Sequence, residues 1–530
     1  TVPAPTRRSV LAALATAFAG GLGATRPLAA LAAAAPDEPG VTPFSRSTVT
    51  EIARKLAQAP YSPPSQDLPD AIADLTYDQY RAIYFRPEAA VWAGEKLPFQ
   101  LQLFHRGFLY KNEIDVAIVD DGQAHHLAYS PDMFAPGAIV TNPLPKQDIG
   151  FAGLRIHGYI NDPQRLDEIA VFQGASYFRS LGKDQIYGAS ARGLAINTGG
   201  PGGEEFPLFR AFWVEKPPPD SELIVVHALL DSESVAGAYR FTIRPGLPTE
   251  MDVEVTLFPR VDLDAVGLAP GTSMFYFDAN GREGFDDWRP QVHDSNGLLI
   301  VNGRGERLWR PLANPKSLQF SAFVDTSVRG FGLMQRTRDY GAFQDYTAQY
   351  EKRPSLWVEP HGDWGKGSVV LIEIPSNSEI NDNIVAYWHP DEAIAAKSEY
   401  AFAYRLSWGD GPAKPGVIVA ATRRGRGDLG GESDVRRFVI DYLDTGIAAP
   451  PGNTPAPQVP ADGTAALPTA TVTASKGTIS DILVEQNPKT GGWRLTFNLD
   501  PGDETLVEMR ATLTFPDRRP VDTWLYRWTA

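Results

Sequence analysis

Short runs in which apolar and polar residues alternate recur along most of this chain. Phe99-Gln100-Leu101-Gln102-Leu103, Ile114-Asp115-Val116-Ala117-Ile118-Val119, Glu222-Leu223-Ile224-Val225-Val226-His227 and Met251-Asp252-Val253-Glu254-Val255-Thr256-Leu257 all follow this period of two. Successive side chains of a strand point to opposite faces, so the pattern calls for antiparallel sheets with one face buried. Each run ends at Gly, Pro, Asn or Asp, and 48 Gly with 45 Pro disfavour a helix-dominated architecture. The exception is residues 44–60, where Val49, Ile52, Ala53 and Leu56 recur at helical spacing and predict a short amphipathic helix.

A chain of 530 residues exceeds one domain's usual share. Strand patterns continue to about Trp388, so residues 41–392 are expected to form one large β-sandwich, packed face to face, with loops long enough to build a groove. Residues 400–530 contain about seven short strand patterns, the first over 400–408, which suggest a smaller immunoglobulin-like sandwich. A Pro-rich stretch, residues 448–468, interrupts it as an extended loop or insertion. The fold class is therefore all-β.

Thr6-Arg7-Arg8-Ser9-Val10-Leu11 sets two arginines before a weakly apolar run, residues 12–24, and an Ala-rich stretch, residues 31–35. Charged, apolar and small-residue regions in that order predict a twin-arginine signal peptide over residues 1–35 and export, already folded, to the periplasm. The net charge of -15 argues against nucleic acid as a partner, because phosphate contact needs a surplus of Lys and Arg. With no Cys, disulfides, zinc-thiolate sites and thiol catalysis are excluded.

Gly425-Arg426-Gly427-Asp428-Leu429-Gly430 matches the dinucleotide fingerprint by letter. However, strand-like Arg436-Arg437-Phe438-Val439-Ile440 follows where that fold requires a helix, so no nucleotide is expected and the segment reads as a basic loop. No G-x-S-x-G elbow or P-loop occurs. The adjacent His125 and His126 would point to opposite faces of a strand, a poor arrangement for a metal, and neither metal nor cofactor is expected.

Two acidic segments carry more chemistry. Arg289-Pro290-Gln291-Val292-His293-Asp294-Ser295-Asn296 places an Asp in a polar turn after a strand-like edge, and Ser376-Asn377-Ser378-Glu379-Ile380-Asn381-Asp382-Asn383 places two acids before the aromatic pair Tyr387-Trp388. Asp beside Ser and Asn most often only caps a turn. Yet Trp288, Trp309, Trp357, Trp364, Trp388 and Trp408 share this part of the chain, and indoles stack on sugar rings while paired carboxyls hydrolyse glycosides.

Leu75-Thr76-Tyr77-Asp78-Gln79-Tyr80-Arg81, Phe172-Gln173-Gly174-Ala175-Ser176-Tyr177-Phe178-Arg179, Tyr187-Gly188-Ala189-Ser190-Ala191-Arg192-Gly193, Val292-His293-Asp294-Ser295, Tyr350-Glu351-Lys352-Arg353-Pro354-Ser355-Leu356-Trp357-Val358-Glu359-Pro360 and Asn381-Asp382-Asn383-Ile384-Val385-Ala386 resemble the osmoregulated periplasmic glucan biosynthesis proteins of the G and D type. The resemblance runs from about residue 44 to Trp528, and the twin-arginine leader leans toward the D member. It implies a galactose-mutarotase-like β-sandwich joined to an immunoglobulin-like domain, acting on β-1,2-linked glucose backbones. Inverting β-1,2-glucanases and cyclising transglycosylases are similar to it, and a membrane glucan synthase is an implied partner. The family's general acid falls on Asp382 and its base on Asp294, with Glu379 on an acidic position of the same cleft. Tyr350, Trp357, Glu359 and Trp388 are expected on the substrate, the two indoles as groove walls.

On this reading Tyr387 and Trp388, or repulsion from Glu379, should keep Asp382 protonated, while Ser295 and Asn296 keep Asp294 ionised. A non-catalytic glucan-binding scaffold that assists the synthase is the rival; it would have no need of both acids.

Overall fold

The alternating runs pair into two extended sheets. A computed structural model describes residues 40–412, 416–427, 434–445 and 467–530; the twin-arginine segment and residues 448–466 of the Pro-rich stretch lie outside it. In the first sheet Asp115–Asp120, Leu208–Glu215, Ile224–Asp231, Val235–Arg244, Thr249–Pro259, Tyr400–Gly409, Ser355–His361, Gly330–Met334, Gly297–Val301 and Arg307–Pro311 lie side by side. The second runs Gln319–Thr326, Lys366–Glu373, Ile384–Pro390, Val266–Ser273, Ser190–Arg192, Tyr177–Ser180, Arg165–Gln173, Gly153–Asp162 and Phe99–Leu103. Their facing side chains share one core, in which Phe172 meets Phe241 at 5.2 Å and Phe178 meets Trp408 at 6.1 Å.

Period two explains which face goes where. On Val235–Arg244, Val235, Tyr239, Phe241 and Ile243 enter the inter-sheet core, while Ala236 and Ala238 point outward. The predicted helix, Thr48–Ala57, lies on that outer face and buries Val49 and Ala53 against Ala211, Leu229, Ala236, Ala238 and Phe258. Small residues under the helix let it approach closely.

Tyr400–Gly409 does not begin the second unit as expected. It fills the gap between Thr249–Pro259 and Ser355–His361 in the first sheet, pairing with both, and the smaller unit starts beyond it. That unit sets the four-stranded sheet Val417–Arg426, Arg436–Asp444, Trp493–Asp500, Thr478–Gln486 over three strands, Asp522–Thr529, Leu506–Thr514 and Thr469–Ala474. Of the segment expected as a basic loop, Gly425 and Arg426 instead end a strand, paired to Arg437 and Arg436, and residues 428–430 lie outside the described residues.

The three-stranded layer continues the large sheet through a parallel pairing of Arg307–Pro311 with Asp522–Thr529. Asp522 sits at this joint without solvent exposure, accepting from Arg307 Nε at 2.8 Å and from the Val419 amide at 3.1 Å, with Arg336 Nη1 at 2.8 Å. Removing one partner of a buried charge cluster leaves the others uncompensated. Asp522→Ala should therefore destabilise the protein by about 3–5 kcal/mol. Urea denaturation checks this; a midpoint equal to wild type would mean that solvent compensates both arginines.

Candidate active site

Asp294 and Asp382, 88 residues apart in sequence, are joined through a third segment. Phe275–Phe277 pairs with Val292–His293, setting Phe275 opposite His293 with their rings stacked at 5.7 Å. The buried Asn383 then clasps Phe275 from the other side, accepting from its N–H at 2.8 Å and donating to its carbonyl at 3.0 Å, with a further bond to the Ile374 carbonyl. Asp294 follows His293 and Asp382 precedes Asn383, so this clasp carries one acid to the other.

The two carboxyls sit in unlike surroundings. Asp294 is 4% exposed, and burial pushes its carboxyl up to about 6. The Arg353 guanidinium, which donates to Asp294 Oδ1, pulls the other way, and the negative charge of Asp382 pushes it up again. This overturns the expectation of a polar setting: the Ser295 hydroxyl is spent on Ser273 Oγ at 2.8 Å, and the Asn296 amide on Thr337 Oγ1 at 3.3 Å. Asp382 is solvent-exposed, contrary to the desolvation expected from Tyr387 and Trp388, because those two side chains are buried within the strand Ile384–Pro390.

Around the pair, charges form a brace. Arg353 lies over the Tyr350 ring at 4.3 Å, and the Tyr350 hydroxyl donates to Glu379 Oε2 at 3.3 Å. Arg289 holds Glu379 at 2.6 Å, Asp287 at 2.7 Å and Asp345 at 3.1 Å, tying three segments together. The fully buried Gln335 donates to the carbonyls of His293 and Tyr350, fixing the segment that carries Asp294 against the Tyr350 turn. Opposite, Tyr177 carries Arg192 over its ring at 4.8 Å and feels the charge of Asp382; burial is the main reason its hydroxyl is pushed up to about 12.

Of the expected site residues, Asp294, Asp382, Glu379 and Tyr350 come together and Trp357, Trp388 and Glu359 do not. Trp388 shares the parity of Ile384 and Ala386 and enters the inter-sheet core with no exposure. Trp357 packs with Trp309 and Trp524 in the smaller unit's core, where Gly330 makes room: a Cβ there would meet its indole at 2.3 Å. Neither can wall a groove. Glu359 lies four residues along its strand from Ser355, about 13 Å, opposite Arg405 in register.

The exposed apolar surface is elsewhere. Trp288 (69% exposed), Tyr346 (79%) and Ile380 (61%) directly adjoin Arg289, Asp345 and Glu379, so the Arg289 brace gathers all three at the rim. Trp288 was visible in sequence as the Trp that follows Asp286-Asp287 in a turn-rich stretch rather than ending an apolar run.

A family profile described as "Periplasmic glucan biosynthesis protein, MdoG" matches residues 44–528. The protein named Glucans biosynthesis protein G of Vibrio cholerae serotype O1 is 57% identical over 488 residues, covering 92% of this chain and 87% of that protein. Its namesake in Shewanella frigidimarina is also 57% identical, covering 92% of this chain and 85% of the relative. Both carry the G designation; the leader that leaned toward D lies outside the described residues.

Proposed function

The chain belongs to the periplasmic glucan biosynthesis protein family, and from that membership we propose that it cleaves or transfers β-1,2-linked glucose chains in the periplasm, with Asp382 as general acid and Asp294 as general base. The observation that carries the reading is the pair itself. Two carboxyls from distant segments, close enough for the charge of Asp382 to raise Asp294, one buried beside an arginine and one exposed, supply the two acids that glycoside chemistry uses.

In this reading Asp382 protonates the glycosidic oxygen as the bond to the anomeric carbon breaks, and Asp294 takes the proton from the attacking water or sugar hydroxyl, directly or through a relay. Sugar rings lying over Asp382 would displace its water and favour the neutral acid. Its exposure in the free protein lets solvent return the proton after each turnover. Arg353 limits the rise in Asp294, which stays largely ionised above pH 6. Glu379 serves by holding Tyr350 and Arg289 in place. A membrane glucan synthase is the proposed source of the chains.

Linear β-1,2-glucan incubated with the protein and followed by mass spectrometry tests this. Shorter linear products mean hydrolysis, cyclic or extended ones mean transfer, and unchanged polymer with retained binding would leave a glucan-binding scaffold instead.

The rim supplies a second expected result. Trp288→Ala should weaken glucan binding about three- to tenfold, the contribution of one stacking face, without lowering the melting temperature. Trp388→Ala should do the reverse, destabilising the fold by about 3–5 kcal/mol through the cavity it leaves. Calorimetric titration and thermal unfolding of both variants would expose any exchange of these roles.

A further inference from the structure

The segment Leu75–Arg81 takes no part in the acid pair, yet it builds an aromatic surface that leads toward it. Thr76 and Gln79 cap each other's backbone at the start of the short helix Tyr77–Arg81, which holds Tyr77 on the surface and Tyr80, partly buried, against the large core. Tyr77, 55% exposed, meets Phe108 at 5.8 Å and carries the Arg81 guanidinium at 5.5 Å. Tyr80 meets Phe108 at 6.3 Å and Tyr110 at 5.4 Å. Phe108 is held in the left-handed region at φ 53°, a conformation that a bulky side chain rarely adopts and that turns its ring into this row.

A small pocket continues the row inward. Its volume is about 60 Å³, and Tyr110, Asn112, Gln173 and Tyr177 are among its lining residues. Gln173 donates to the Tyr80 hydroxyl at 2.9 Å, so row and pocket share a wall. Tyr177, on the lining, also lies near enough to Asp382 to feel its charge. The space equals roughly two water molecules, enough for a hydroxymethyl group but not for a whole sugar ring.

We propose that Tyr77, Tyr80, Phe108 and Tyr110 form an outlying platform for sugar rings of the same glucan chain whose scissile bond lies at Asp382. The rings stack their apolar faces on the aromatic row, and one hydroxymethyl group enters the pocket beside the Asn112 and Gln173 amides. The platform rests on the glucan reading and extends it, because only a chain reaching both Asp382 and Tyr77 gains the extra contact. Longer glucans are then held better than short ones.

Isothermal titration of linear β-1,2-glucooligosaccharides of increasing length decides the matter. In the wild type, affinity should rise with length and then level off. Tyr77→Ala should remove about three- to tenfold of the long-chain affinity and leave the short-chain affinity unchanged; Tyr77→Trp should restore it. Equal affinities for wild type and Tyr77→Ala at every length would overturn the platform while the glucan reading stands. A wild type that binds no glucan of any length would overturn the glucan reading and the platform with it. A self-associating wild type whose dimer is lost in Tyr77→Ala, with glucan affinities untouched, would assign the row to a second copy of this chain and overturn the platform.

Discussion

Asp382→Asn should lower turnover of linear β-1,2-glucan by roughly 10²–10⁴-fold, the range a positioned general acid supplies, while glucan still binds. The amide keeps the size and polarity of the exposed side chain but has no proton to deliver. Asp294→Asn should be similarly crippled, and the two losses should not multiply, because both groups serve one displacement. Glu379→Gln is the comparison: Arg289 keeps Asp287 and Asp345 when Glu379 loses its charge, so the brace loosens without collapsing and the loss should be smaller than for either Asp. Initial rates from product quantification check all three variants. Near-normal turnover in Asp382→Asn with an inactive Glu379→Gln would move the acid to Glu379, and near-normal turnover in all three would leave the scaffold.

How far such a site can be read from sequence depends on whether a signal is local or tertiary. Strand alternation is local, and so is the helical spacing of Val49, Ile52, Ala53 and Leu56, which became the helix Thr48–Ala57. The acids were singled out by their tryptophan-rich neighbourhood and by the family resemblance, since Asp beside Ser and Asn most often only caps a turn. Trp density misled, since a Trp near an acid in sequence says nothing about which face its strand presents. Parity held the missing signal: Trp388 is two and four residues from the apolar Ala386 and Ile384, the inward set, whereas Trp288 belongs to no apolar run. Tyr400–Gly409 was misassigned for a tertiary reason, because its partners, Thr249–Pro259 and Ser355–His361, lie far back along the chain. The clasp of Asn383 on Phe275 and the hold of Arg353 on Asp294 are likewise contacts between distant segments, which no periodicity records.

Burial of Asp294, opposed by that arginine, sets the expected pH dependence. A general base works ionised, so activity should be present above the titration of Asp294 and lost below it. With its carboxyl pushed up to about 6, the acidic limb of kcat/KM should centre near pH 6, above the usual carboxylate range. Arg353→Met removes the opposing positive charge but leaves the burial and the charge of Asp382, both of which raise Asp294. The limb should then climb by about one to three pH units, so that activity at pH 6 falls roughly five- to several-hundredfold and recovers as the pH is raised. Arg353→Lys keeps a cation beside the carboxylate and should move the limb much less. Recovery at high pH separates this from simple damage, because Arg353 also packs on Tyr350 and donates to the Ala348 carbonyl at 3.3 Å. A variant that is slow at every pH, with its limb still near 6, would show that Arg353 positions the turn rather than tunes the base. A wild-type limb at the ordinary carboxylate range would remove Asp294 from the role of base altogether.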